Sequence, residues 1–286
     1  MNRRRLRRLL LATTGVTYAL LLLGIYTAAA GAGLTCEARW PLCDGAVFGL
    51  FPANWPSFIE WFHRLVAMIG GFMILASAYG VWRSGAERRL TGAMAVAVAL
   101  LPVQVWLGAQ TVLAYTFLAL TAHFVTALVI FGAVVLSTLW FLGPQAASLG
   151  RLRYALLGVV ALYPLLLALS PGGLVAHTAA VQAVYYAVGL AAFAALLAAV
   201  AWAGLLQSSD SDDRIGRVRA LAGVGSVLLG VQLLLGRYLY TELIQLLDAT
   251  LMATVFLLAA VAAWLTYRVD AAAIAPEGAS RTDGYH

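Results

Sequence analysis

The sequence predicts an all-α integral membrane protein, with eight transmembrane helices arranged as two tandem four-helix bundles related by pseudo-twofold symmetry. Three observations predict it. Apolar residues make up 63% of the 286 residues and charged residues only 10%, against about a quarter charged in a soluble domain. The apolar residues fall in blocks long enough to cross a bilayer, which takes about 20 residues each as a helix. A short motif also recurs: Val103-Gln-Val-Trp-Leu-Gly108 is echoed by Val231-Gln-Leu-Leu-Leu-Gly236, each followed by a short turn and another apolar span.

The spans are drawn at 9–30, 58–82, 90–113, 117–142, 153–170, 174–206, 218–237 and 243–267. Residues 1–147 form the first repeat and 148–286 the second, with an even number of spans in each. Both repeats then share one orientation, and their pseudo-twofold axis runs along the membrane normal. The basic residues are all Arg, and 15 of the 18 lie on one side of this arrangement. Arg3, Arg4, Arg5, Arg7 and Arg8 precede span 1. Arg83, Arg88 and Arg89 follow span 2, and Arg151, Arg153, Arg214, Arg217, Arg219, Arg268 and Arg281 follow the later even spans. Only Arg39, Arg64 and Arg237 fall on the other side. The positive-inside rule places both termini in the cytoplasm of a multi-pass cell-membrane protein. The first span resembles an uncleaved signal anchor, basic at its start and too long for a signal-peptide core.

The loops are short except residues 31–57, an outer loop whose Trp40, Phe48, Phe51 and Trp55 suit the membrane interface. The stretch from Gln207 to Arg219, with Ser208, Ser209, Asp210, Ser211, Asp212 and Asp213, reads as a polar linker. Residues 270–286 read as a small, polar, disordered tail ending at His286.

One stretch, Ser57-Phe-Ile-Glu-Trp-Phe-His-Arg64, breaks the apolar pattern at the start of span 2. Glu60 and His63 stand three apart and share a helix face, and Arg64, four from Glu60, borders it. Ionisable groups inside a membrane segment are expensive and mark functional sites by default. A second imidazole, His123, lies in span 4. Both spans descend from the outer side, with each His five or six residues in, about 8–9 Å deep at 1.5 Å per residue. That is the geometry of an axial clamp on a haem iron, for which imidazole is a good ligand. The bland alternative for either His is a helix-packing residue hydrogen-bonded to a neighbour. For Glu60 and Arg64 it is an ion pair at the helix mouth, with Arg64 otherwise meeting a haem propionate. His177, three residues into span 6, is either a weak haem contact or an interface residue.

Cys36 and Cys43 lie together in the outer loop, where an oxidising face permits a disulfide. It would be either a loop staple or a redox-active pair passing electrons to a nearby site. Two Cys without a further ligand make a poor zinc site.

Cys36-Glu-Ala-Arg-Trp-Pro-Leu-Cys43, Glu60-Trp-Phe-His63-Arg64, Gln104-Val-Trp-Leu-Gly108-Ala-Gln-Thr-Val112 and His123 together resemble the heme A synthase family. The resemblance is strong over spans 1–4 and extends to the whole chain in hydropathy and span count. It implies a tandem four-helix-bundle enzyme that oxidises the ring D methyl of heme O to a formyl group, giving heme A for terminal oxidases. It implies His63 and His123 as axial ligands of the substrate haem iron and Glu60 as the catalytic or gating acid. It also implies Cys36 and Cys43 as an outer-loop pair linked to electron transfer. The partners implied are heme O, delivered by the heme O synthase, an electron acceptor that the sequence does not name, and the bilayer; homo-oligomerisation is open. A bis-His electron-transfer cytochrome, or a haem-handling assembly protein without catalysis, is the alternative. The sequence has no P-loop, Gly-x-Gly-x-x-Gly or metalloprotease motif, and nothing supports nucleic-acid binding.

The chain departs from the family in its second half. Many members carry a second His pair there, taken to hold a heme b. Aligning the repeats puts Asp248 at the counterpart of His123 and Gln182 at that of His63, and hard oxygen donors are poor axial partners for low-spin iron. The expectation is a single bis-His haem site, in the first half, with Asp248 hydrogen-bonded to Gln182, Arg237 or another polar neighbour.

Overall fold

The computed structural model describes residues 2–36, 39–40, 43, 46–47, 51–52, 54–114, 116–171, 173–206, 213–237 and 241–269. Eight helices long and apolar enough to cross a membrane account for most of them: α1 (Arg3–Ala29), α2 (Trp55–Arg83), α3 (Arg88–Leu113), α4 (Phe117–Leu142), α5 (Leu149–Leu169), α6 (Ala179–Leu206), α7 (Asp213–Leu235) and α8 (Glu242–Tyr267). This is an all-helical, multi-pass membrane chain. A small hairpin, β1 (Ala46–Val47) antiparallel to β2 (Phe51–Pro52), interrupts the long loop before α2. Phe48, the linker residues 207–212 and the tail with Arg281 and His286 lie outside the described residues.

Local chemistry sets where the helices begin. Asn54, Thr116, Ser148 and Thr241 stand in extended conformation just before α2, α4, α5 and α8, and each accepts a first-turn backbone N–H with its side-chain oxygen. Asn2 does the same for α1, which therefore starts six residues before the expected span. The Arg-rich start winds into helix because Leu6 and Leu10 are buried against Ile74, Val81, Met94 and Val134. Helix α6 begins later than expected. Residues 174–178 precede it, and the backbone turns there, Leu174 N–H donating to Ala168 O and Gly173 N–H to Ser170 O. His177 is thus in a connection rather than inside a span.

Helix α1 packs against α2, α4 and α6; α3 lies against α2 and α4; α7 and α5 each lie against α6 and α8. One core cluster runs through α4–α8 and reaches α1 at Leu21 and Ile25; a second joins the other ends of α1–α4. Phe72, Trp82, Trp106, Leu118 and Trp264 face outward, a degree of apolar exposure suited to lipid rather than water.

Polar seams stitch the helices. The Thr13 and Ser77 hydroxyls hydrogen-bond across α1 and α2 at 2.9 Å, and those of Thr14 and Thr138 across α1 and α4 at 2.9 Å. The Thr13 hydroxyl also bonds to its own helix at Leu9 O, which blunts the loss when its partner is removed. A Thr13→Val, Ser77→Ala double-mutant cycle should show coupling of about 0.6 kcal/mol, read from unfolding in mixed micelles; coupling indistinguishable from zero would mean the seam adds no stability.

Candidate functional site

The site builds from the end of the bundle that carries the cysteines. Cys36 and Cys43 are bonded to each other and buried. Cys43 Sγ lies 3.5 Å from Ser57 O, and the Ser57 hydroxyl donates to Thr35 O at 3.1 Å. The bridge therefore pins the loop to the first turn of α2. Trp40 and Trp55 are exposed there, as expected of interfacial aromatics.

One turn further along α2, Glu60 is buried and Arg64 donates through Nε to Glu60 Oε1 at 2.8 Å. Arg64 also donates to Arg39 O at 3.0 Å. The ion pair envisaged at the helix mouth is formed, and it holds the guanidinium in place. With Oε1 engaged by Arg64, Glu60 Oε2 is left near the backbone at Gly33.

His63 and His123 come from α2 and α4, each of which packs against both α1 and α3. Helix α2 begins at Trp55, so His63 stands eight residues in, while His123 is six residues into α4. Both side chains keep some exposed surface, yet the Nδ1 atom of each is sealed and lacks a hydrogen-bond partner. Each ring rests in a notch made by a glycine. A Cβ on Gly24 of α1 would stand 2.9 Å from His63 Cε1, and one on Gly108 of α3 would stand 3.1 Å from His123 Cε1. Only residues without a side chain let helix backbones approach the rings this closely.

Gln104 lies beside His123, its Nε2 3.5 Å from the ring Nε2. The Thr126 hydroxyl donates to Gln104 Oε1 and so directs the amide nitrogen at the ring. An N–H aimed at His123 Nε2 makes that atom the lone-pair nitrogen and puts the proton on Nδ1. The lone pair then faces the Gln104 amide, so a metal ion at Nε2 would take the place of that N–H while the Gly108 notch holds the ring. Gln104 and Gly108 belong to the recurring motif and could be flagged from sequence. Gly24 and Thr126 carry no such signal.

In the second half, Asp248 is six residues into α8, matching His123 in α4, and it is buried with Oδ1 unpartnered. The expected bond to Gln182 or Arg237 is not made. The Gln182 amide donates to His177 O at 3.3 Å, and the Arg237 guanidinium lies over the Phe124 ring, 5.4 Å from its centroid. Tyr163 donates to Gln232 Oε1 at 3.1 Å, and the Gln232 amide donates to the Tyr185 hydroxyl at 3.4 Å. His177 Nδ1 is 3.2 Å from Leu169 O; burial holds its pKa below the ordinary imidazole value, with the Leu169 carbonyl opposing. A recess of about 340 Å³ lined by Leu9, Ala76, Tyr79, Gly80 and Arg83 lies toward the far ends of α1 and α2, away from the imidazoles.

The model of the COX15-CtaA family, described as cytochrome oxidase assembly protein, matches residues 7–272. The chain is 36% identical over 139 residues to a protoheme IX farnesyltransferase of Halobacterium salinarum, covering 48% of this chain and 29% of that protein. It is 35% identical over 136 residues to a heme A synthase of Bacillus licheniformis, covering 47% and 44%. With a heme A synthase of Geobacillus kaustophilus it shares 31% identity over 183 residues, covering 58% and 55%. The chain thus spans 29% to 55% of the length of these relatives.

The glycine notches give a direct test. Overpacking a fitted site costs about 1–3 kcal/mol. Gly24→Ala should displace the His63 ring and weaken or shift the low-spin haem absorbance of purified protein, more than Gly108→Ala does. Wild-type spectra in both variants would show that the rings do not depend on the notches.

Proposed function

The chain belongs to the COX15-CtaA family of cytochrome oxidase assembly proteins, and on that premise we propose that it is a heme A synthase, oxidising the ring D methyl of heme O to a formyl group to supply heme A to terminal oxidases. The observation that carries this reading is the pair of imidazoles from α2 and α4, two helices that each pack against both α1 and α3, set in glycine notches beside a buried glutamate. Relatives under both printed names have a haem in that name, which supports a haem as the ligand.

In this reading His63 and His123 hold the substrate through its iron. Converting the methyl to a formyl group removes electrons and protons and adds one oxygen, so the site needs a proton acceptor and an external electron acceptor. Glu60 is the acceptor of a proton at Oε2, the oxygen that Arg64 leaves open. Arg64 orients the carboxylate, and the Cys36–Cys43 bridge lies against the first turn of α2, one turn before Glu60. The burial of both sulfurs supports a staple, since labile disulfides are exposed or strained ones.

The architecture we propose is two tandem four-helix bundles, residues 1–147 and 148–286, related by pseudo-twofold symmetry. Two closed cycles of neighbours support it: α1–α2–α3–α4 and α5–α6–α7–α8. Eight crossings return the chain to its starting side, and the arginine distribution supports cytoplasmic termini with the disulfide outside. One haem per polypeptide is bound, in the first bundle. Tyr163, Gln232, Tyr185 and Asp248 supply phenol, amide and carboxylate oxygens in the second, and none of these is a preferred axial ligand of low-spin iron.

The test is co-expression with a heme O producer, followed by chromatography and mass analysis of extracted haems. Heme A should appear with the wild-type chain and vanish with His63→Ala or His123→Ala. Glu60→Gln should keep haem bound while product formation falls by about 100-fold or more. Bound but unchanged heme O in the wild type would favour the haem-handling alternative. Two haems per purified chain would overturn the single site.

A further inference from the structure

The second half also reaches the haem site. Arg237 stands two residues past the end of α7, at the bundle end that carries the disulfide. Its guanidinium lies over the ring of Phe124, the residue that follows His123, 5.4 Å from the ring centroid. Among the described residues no acidic side chain pairs with it. Arg64, the other arginine beside the imidazoles, is held by Glu60 and Arg39 O. A half-buried cation at a membrane segment is expensive without an anion, and the sequence repeat gives it no structural counterpart, since Ala109 stands at that position in the first copy.

We propose that Arg237 is a positioning residue for the substrate, contributed by the C-terminal half, which binds a propionate carboxylate of the haem held by His63 and His123. This rests on the haem reading above. A guanidinium suits the role because it stays charged and pairs with a carboxylate through two parallel N–H donors. Phe124 presents its face to the guanidinium and keeps it beside the imidazole. The interaction orients the macrocycle about the iron axis, a degree of freedom that two axial imidazoles leave loose. Orientation about that axis decides which ring edge is brought to Glu60.

Titration of the full-length, haem-depleted protein with protohaem IX and with its dimethyl ester separates charge recognition from the axial clamp, with low-spin absorbance as the readout. The wild type should bind the free acid about tenfold more tightly than the ester, the range of one charge-assisted hydrogen bond. Arg237→Gln should lose about tenfold for the acid and little for the ester, and Arg237→Lys should recover part of the difference. Equal weakening of both ligands, or no change for either, would overturn the proposal while leaving the clamp intact. A wild type that gives no low-spin spectrum with either ligand would overturn the clamp and this inference together.

Discussion

Hydrocarbon offers a polar atom no water to bond to, so each hydroxyl, amide and imidazole within the spans needs a partner from the protein. Most of this structure obeys that constraint locally. Thr13, Thr17, Thr27 and Thr138 each donate to the carbonyl four residues back. Tyr18 reaches from α1 to Ala187 O, and Tyr186 from α6 to Leu233 O. Exceptions among the described residues include Nδ1 of His63, Nδ1 of His123, Oδ1 of Asp248 and Nε1 of Trp202, each sealed without a partner. We propose that the two imidazoles mark the haem site; Asp248 stands six residues into α8, as His123 does into α4.

Comparing the halves shows one frame filled in two ways. Gln104 and Gln232 occupy matching positions in the recurring motif, and one faces an imidazole while the other joins two tyrosines. Gly108 leaves room for the His123 ring, and Gly236 leaves room for Tyr185, whose Cε1 would meet an added Cβ at 3.3 Å. The glycine and the amide are kept, but they face a side chain from α4 in the first half and one from α6 in the second. Tyr163, Gln232 and Tyr185 satisfy one another within the protein, whereas Nδ1 of each imidazole and Oδ1 of Asp248 are left without a partner among the described residues.

The eight spans were legible because hydrophobic length is a property of sequence alone. The start of α1 was misplaced because five arginines outweighed two leucines in a hydropathy reading, although Leu6 and Leu10 decide the packing. The stretch before α6 was read as span because it is apolar, yet its backbone bonds turn back on α5. Glu60, His63, Arg64 and His123 stood out as polar residues in apolar runs. Gly24 and Thr126 did not, since their roles come from which helix faces which. Arg237 was visible only as a misplaced charge; its seat over Phe124 depends on how the second half docks against the first.

That docking bears on the order of synthesis. The chain emerges N-terminus first, and halves of a protein tend to fold as they are made. His63 and His123 are therefore in place while α6 and α7 are still being added. Until then the Tyr18 hydroxyl has no Ala187 carbonyl to meet, and Phe124 has no cation above its ring. A nascent chain that stops after α4 carries both imidazoles and an open flank at Tyr18 and Phe124, which α6 and the end of α7 cover later.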